Sequence, residues 1–524
     1  MWWERNREHI VKMRRLLRRS TATTGTRVAE PRDPMREKRE EVLATLRRLA
    51  RGAKQRALRA ATLMALGRMG GDEDAYLCLR VLQENKEATS VVEAAAVSLG
   101  ILPPLQEATR VKAREFFRQA IQRPRRLPTR ARGLTLLAAG LRARHDSDLV
   151  LALLERADGR KLKSDETADL IYALGLSGHP LVVPEVIRAV RESTFARRGL
   201  TDVQRAHAVQ ALALVEAPHR VRLLADVLRS RRAQLQTKRS AAMALARLLC
   251  ETDPPPEERQ AADRALRQAL RDGPDLTLRG YAALAMGAAR PPVGIARLMA
   301  TAESAAEVRL RPYGLLALGL AGREADDAEG RSIRGFLSEM FRTTGESGQV
   351  AAASIALGLA RTHEATDLLL ARLLRNSAEP VRGAAAQGLG LMEARSAHVM
   401  RTLLTLAYEE RKKPRLLEDV ALALGFTGRR DVALELVDML RQTSSSIVAG
   451  RIIVALGHLD HGGTIEPLHA ILKDRGVSTP VREFASVALA WMGDRREEDV
   501  LFQLDAFFNL HATTPATHEL MRLY

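Results

Sequence analysis

"PVRGAAAQGLG" occupies Pro380–Gly390, and "PVREFASVALA" occupies Pro480–Ala490. The shared phrase is Pro-Val-Arg followed by a run of small residues. Proline at the first turn of a helix leaves no hydrogen bond unmade, because that N–H has no partner inside the helix. In the first copy Val381, Ala385, Gly388, Leu389 and Met392 then fall at helical spacing on one face. A second amphipathic stretch follows, with Val399, Leu403, Leu406 and Ala407 at the same spacing. Each phrase therefore opens a two-helix unit.

Working outward, the small residue that closes the Ala-Leu-Gly triplet recurs as Gly67, Gly100, Gly140, Gly175, Ala213, Ala246, Gly287, Gly319, Gly358, Gly390, Gly425, Gly457 and Ala490, at intervals of 32 to 41 residues. Such a period marks a solenoid, whose units cannot close a core alone and bury their apolar faces only against their neighbours. No run alternates with period two in β-branched residues. The expected fold is all-α: a superhelical stack of about thirteen two-helix repeats. The Arg after Pro-Val is expected to lie along a neighbouring helix with its head in water or on an adjacent carbonyl. The three longest intervals, after Gly100, Ala246 and Gly319, are expected to hold insertions.

Composition agrees with thin, close packing: 46% of the 524 residues are apolar but only 4% aromatic. No stretch approaches eighteen consecutive apolar residues and the N-terminus lacks an export-type apolar region, so a cytoplasmic protein is expected. Cys78 and Cys250 stand far apart with no paired neighbours, so neither a disulfide framework nor a thiolate metal site is indicated. The net charge of +19 is unevenly placed. Met1–Cys250 carries 49 Lys plus Arg against 27 Asp plus Glu, whereas Glu251–Tyr524 carries 33 against 36. Only 11 of the cations are Lys, so an Arg-rich genome competes with acidic-partner binding as the explanation.

"PVRGAAAQGLGLM", "RLRPYGLLALGLAG" (Arg309–Gly322) and "PVREFASVALAWMGD" resemble HEAT repeats, especially the bacterial kind also found in phycobilin lyases. The resemblance covers roughly Leu58–Phe508. It implies an α-solenoid scaffold of the kind commonly used for protein binding, and the lyase-like variety implies, as a further alternative, an accessory protein for a tetrapyrrole conjugate. Residues 1–34 read as a basic helix and linker, residues 35–524 as the solenoid, and the aromatic-rich segment from about residue 500, with Phe502, Phe507, Phe508 and Tyr524, as a cap over the last exposed apolar face.

Two constellations are candidate sites. Arg110, Lys112, Arg114, Arg118, Arg123, Arg125, Arg126, Arg130 and Arg132 form a basic stretch with Phe116 and Phe117 interleaved. It fits an acidic protein partner or a phosphate backbone, although nothing in it reads bases. In the N-terminal helix Trp2, Trp3, Ile10, Met13 and Leu17 accompany Arg14, Arg15, Arg18 and Arg19, a pattern suited to an anionic membrane surface or a partner's groove. His458, Asp460, His461 and His469 lack a metal-ligand spacing. Phosphate-loop, dinucleotide, nucleophile-elbow and zincin motifs are absent. The expected function is a non-enzymatic scaffold that binds a macromolecular partner, a protein, on its concave face, without metal, cofactor or small-molecule substrate; a nucleic-acid-binding solenoid using the basic half is the alternative.

Overall fold

The computed structural model describes residues 35–522 apart from 85–86, 159–161, 324–327, 376–377, 411–412, 444, 460–461 and 495–507. The candidate residues Trp2, Trp3, Ile10, Met13, Arg14, Arg15, Leu17, Arg18 and Arg19 lie outside the described residues. The chain divides into two compact units, Lys38–Ala269 with Gly493–Tyr524, and Leu270–Met492 with Met1–Glu37. Among the described residues, helices account for all regular structure except a two-residue antiparallel ladder, Thr194–Phe195 with Arg198–Gly199. Its turn holds Ala196 and Arg197 at positive φ. No described helix is long and apolar enough to cross a membrane.

All thirteen small-residue anchors fall on separate helices. In the first unit these are Arg56–Met69, Thr89–Ile101, Thr129–Arg142, Ser164–Ser177, Asp202–Leu214 and Leu235–Glu251, and each packs on the next. In the second they are Leu276–Ala288, Arg311–Ala321, Ser347–Leu359, Glu379–Leu391, Pro414–Phe426 and Ser446–Leu459, stacked the same way, followed in sequence by Thr479–Gly493. More polar amphipathic helices alternate with them and form a second row. The two-row repeat is an α-solenoid. The three longest intervals contain the long second-row helices Glu107–Gln122, Pro256–Asp272 and Ala328–Thr343, so the extra residues lengthen an existing element.

The triplet has a mechanical meaning in this arrangement. Gly67 meets Ser98, Gly100 meets Ala138, Gly140 meets Ala173 and Gly175 meets Ala211; in the second unit Gly287 meets Ala317, Gly319 meets Ala356, Gly358 meets Gly388, Gly390 meets Ala423 and Gly425 meets Ala455. Each helix thus accepts its predecessor at the first small residue and presses on its successor at the third. The contact is backbone on backbone. A Cβ built on Gly100 would stand 2.7 Å from the Ala138 carbonyl oxygen, and one on Gly319 would stand 2.7 Å from the Ala356 Cα. The small-residue row, the inner row, packs this tightly, while the other, outer row carries Leu, Val and Phe between its helices.

The repeated Arg braces the same stack. Arg59, Arg279 and Arg382 each donate from Nε to the carbonyl nine residues earlier, at Ala50 (3.1 Å), Leu270 (2.7 Å) and Leu373 (2.9 Å). The same guanidinium then pairs with a carboxylate 28 residues later, Glu87, Glu307 or Glu410. One side chain satisfies an orphan carbonyl at a helix end and ties it to the next unit. The adjacent-carbonyl expectation holds, and the carboxylate is an addition the sequence did not reveal.

Replacing Gly319 with Val should lower the urea midpoint, at about 3 kcal/mol or more, because the obstruction is backbone that cannot rotate away. Gly335→Ala, at an exposed helical glycine with nothing near its Cβ direction, should be neutral or gain about 0.5–1 kcal/mol. Removing the brace with Arg382→Ala should cost about 1.5–3 kcal/mol, and Arg382→Lys should recover only part of it, since one ammonium cannot reach both acceptors as the guanidinium fork does.

Candidate partner-binding groove

Among the nine basic residues from Arg110 to Arg132, several are already engaged. Arg110 pairs with Glu107, and Arg114 holds Asp146 at 2.7 Å and Asp148 at 3.0 Å. Lys112 lies over the Tyr76 ring, 4.7 Å from its centroid. Arg132 donates to the Leu127 carbonyl at 3.2 Å. Arg118, Arg123 and Arg126 are exposed, on or just after the Glu107–Gln122 helix. The side chains of Arg125 and Arg130 lie outside the described residues. Phe117 is buried and Phe116 meets its edge, with centroids 5.5 Å apart, so the pair belongs to helix packing and offers no platform for bases.

A different constellation forms on the small-residue row of the first unit. A cap from about residue 500 is the expectation from sequence; the described part of this segment lies on helices of the first unit. Gly493–Tyr524 belongs with Lys38–Ala269, and its described part crosses four successive inner helices. Asn509 Nδ2 donates to the Gln236 carbonyl and to Ser240 Oγ, both at 3.1 Å, on the Leu235–Glu251 helix. Phe508 packs against both Tyr172 and His207, with ring centroids at 5.2 and 5.7 Å in edge-to-face geometry, and those two rings also meet each other, 5.9 Å apart. Thr514 Oγ1 donates to Asp169 Oδ1 on the Ser164–Ser177 helix. Ala516 settles over Gly133 of the Thr129–Arg142 helix, where a Cβ would stand 2.6 Å from it.

Local chemistry shapes the segment for this path. Thr514 and Thr517 exchange hydrogen bonds, Thr514 N–H to Thr517 Oγ1 at 2.8 Å and Thr517 N–H to Thr514 Oγ1 at 3.0 Å, and Pro515 opens the Pro515–Arg522 helix. This is a reciprocal cap in which one hydroxyl both accepts from the helix and donates to Asp169. Asn509 accepts from the His511 N–H at 3.2 Å, turning the chain after Phe508.

The floor of the groove is electrostatically unusual for a helix stack. Burial pushes the Asp169 carboxyl up to about 7; the Thr514 hydroxyl opposes this and nearby Asp165 and Glu166 reinforce it. His207 is fully buried and pushed down to about 4 by the same loss of water, against the Val203 carbonyl and Asp165, which favour its proton. Its neutral ring has Nδ1 2.8 Å from the Val203 carbonyl oxygen, which places the proton there and leaves Nε2 buried without a partner. Burial also raises the Tyr172 phenol. None of these residues stood out as a site in the sequence. Asp169 in "ADLIYALG" carried a signal, being an acid at apolar-face spacing on a helix of small residues.

No protein-family model matches the chain, and no curated protein matches it. Among solved structures the chain is similar to Kap121p bound to Ste12p, at 13% identity over 92% of this chain and 56% of that one, with a TM-score of 0.38. It is similar to the Kap95:Nup1 complex at 12% identity, 92% and 67% coverage and a TM-score of 0.39. Human deoxyhypusine hydroxylase in complex with glycerol matches at 17% identity, 61% and 97% coverage and a TM-score of 0.24. The chain spans 56% of the Kap121p chain, and identities this low transfer no residue role.

The two buried groups oppose each other in pH. Asp169, held at about 7 against an ordinary 3.8, stabilises fully at low pH and loses that contribution as pH rises toward 7. His207, at about 4 against 6.5, contributes above 6.5 and loses it as pH falls toward 4. Amide hydrogen exchange of residues 508–517, taken as the ratio of variant to wild type at each pH, should separate them. Asp169→Asn should gain protection relative to wild type as pH rises from 4 to 7 and level off above; His207→Gln should gain as pH falls from 6.5 to 4. A flat ratio for Asp169→Asn would remove its carboxyl from the contact.

Proposed function

We propose that the chain is a non-enzymatic HEAT-like scaffold that binds a protein partner on the inner, small-residue face of its helical repeats. The observation that carries this reading is that the inner face of the Lys38–Ala269 unit holds a short extended stretch and a helical turn through side-chain-specific contacts: Phe508 against two rings, Asn509 on a carbonyl and a hydroxyl, and Thr514 on a carboxylate. A surface that orders one peptide in this way has the pockets and polar anchors that peptide recognition requires. The engagement of Arg110, Arg114 and Arg132 within the fold reduces the charge available to a phosphate backbone. The exposed Arg118, Arg123 and Arg126 are fitted to steering an acidic partner toward the first unit.

The test is positional. A photo-crosslinking residue placed at exposed Asp165, one turn before Asp169, should capture a protein from a native extract, and the same residue at Arg118 should capture little. Capture from Arg118 alone would move the binding surface to the outer row. Long duplex DNA should give no gel shift even at low ionic strength; a shift whose strength falls steeply with added salt would favour the nucleic-acid reading.

A further inference from the structure

The Phe508–Arg522 stretch sits on the first unit as a ligand sits on a receptor. It adds no helix pair to either row, and it crosses the four inner helices in reverse order, from Leu235–Glu251 at Asn509 to Thr129–Arg142 at Ala516. Among the described side chains of residues 508–518, Phe508, Ala512 and Ala516 are the buried apolar ones, and Leu510 is exposed.

The floor beneath it is polar where a permanent core would be apolar. His207 Nε2 is buried with no partner, and Asp169, facing Asp165 and Glu166 from its own helix, receives one hydroxyl from the segment. Gln210 reaches the Ser240 carbonyl at 3.2 Å beside Asn509. Groups of this kind are costly when covered and well hydrated when open, as suits a surface that is alternately covered and exposed.

We propose that the inner groove formed by residues 129–251 is a peptide-binding site, and that the chain's own C-terminal segment occupies it as a displaceable intramolecular ligand. A protein partner takes the site by presenting the same chemistry: an aromatic side chain followed by Asn, then a helical turn opened by Thr-Pro. The inference rests on the reading of the inner face as the partner surface. Tethering gives the resident segment an effective concentration in the millimolar range, so weak peptides are excluded and only a tight or locally concentrated partner displaces it.

The probe is a fluorescein-labelled peptide of residues 508–522, titrated by anisotropy into full-length protein. Full-length Phe508→Ala/Thr514→Val, whose own segment no longer competes, should bind it at least ten-fold more tightly than wild type. Adding Gly133→Leu to that variant should abolish binding, as should introducing the same two substitutions into the peptide. Equal binding by wild type and the double variant, or binding by neither, would overturn the proposal. So would loss of the helical circular dichroism signal in the double variant, which would make the segment part of the core. Peptide binding without capture at Asp165 would leave the intramolecular ligand standing and fail the scaffold reading; capture without peptide binding would do the reverse.

Discussion

Contact between helix backbones at paired small residues is the constraint on which the molecule depends. Gly100 against Ala138 and Gly319 against Ala356 leave no room for even one added methyl group, so neighbouring axes approach as closely as helices can. A mid-helix glycine sacrifices intrinsic helix stability, and the close approach returns it as dispersion contact along the whole interface. Repeating the pair on successive helices produces a tight row.

The same geometry gives some of the Arg residues a structural role. A tight row brings the end of one helix, with its unsatisfied carbonyls, close to the start of the next, and a guanidinium can bond the carbonyl and still reach a carboxylate in the following unit. Arg59, Arg279 and Arg382 do this with identical sequence offsets. An ammonium has neither the reach nor the planar fork, which gives a structural reason for Arg to outnumber Lys at these sites. Each such Arg–Glu pair is neutral and leaves the net +19 unchanged; on the basic stretch Arg118, Arg123 and Arg126 are exposed.

On the inner face, close packing has a chemical consequence. Helices that touch through Ala and Gly leave shallow channels between their larger side chains, and Tyr172, His207 and Asp169 project into one of these. With water removed, an acid there holds its proton and an imidazole gives its proton up. Both groups are therefore neutral near pH 6, which permits an uncharged Phe-Asn-Thr surface to cover them.

The period of the small residues was enough to establish helices, their pairing and their stacking, because each depends on contacts between units adjacent in sequence; all thirteen anchors found their helices. The Arg after Pro-Val was legible as a structural residue, but its acid was not, since an offset of 28 residues has meaning only once two units are superposed. Phe508 was legible as a residue needing cover, and its partners were not: Tyr172 and His207 lie some three hundred residues away. Sequence periodicity by itself determined the repeat and its small-residue seam, because both are local and recur. Which surface receives the C-terminal segment, and which buried groups there have shifted proton affinities, was decided only by the tertiary structure, because those contacts occur once, join distant parts of the chain, and depend on water being excluded from both sides.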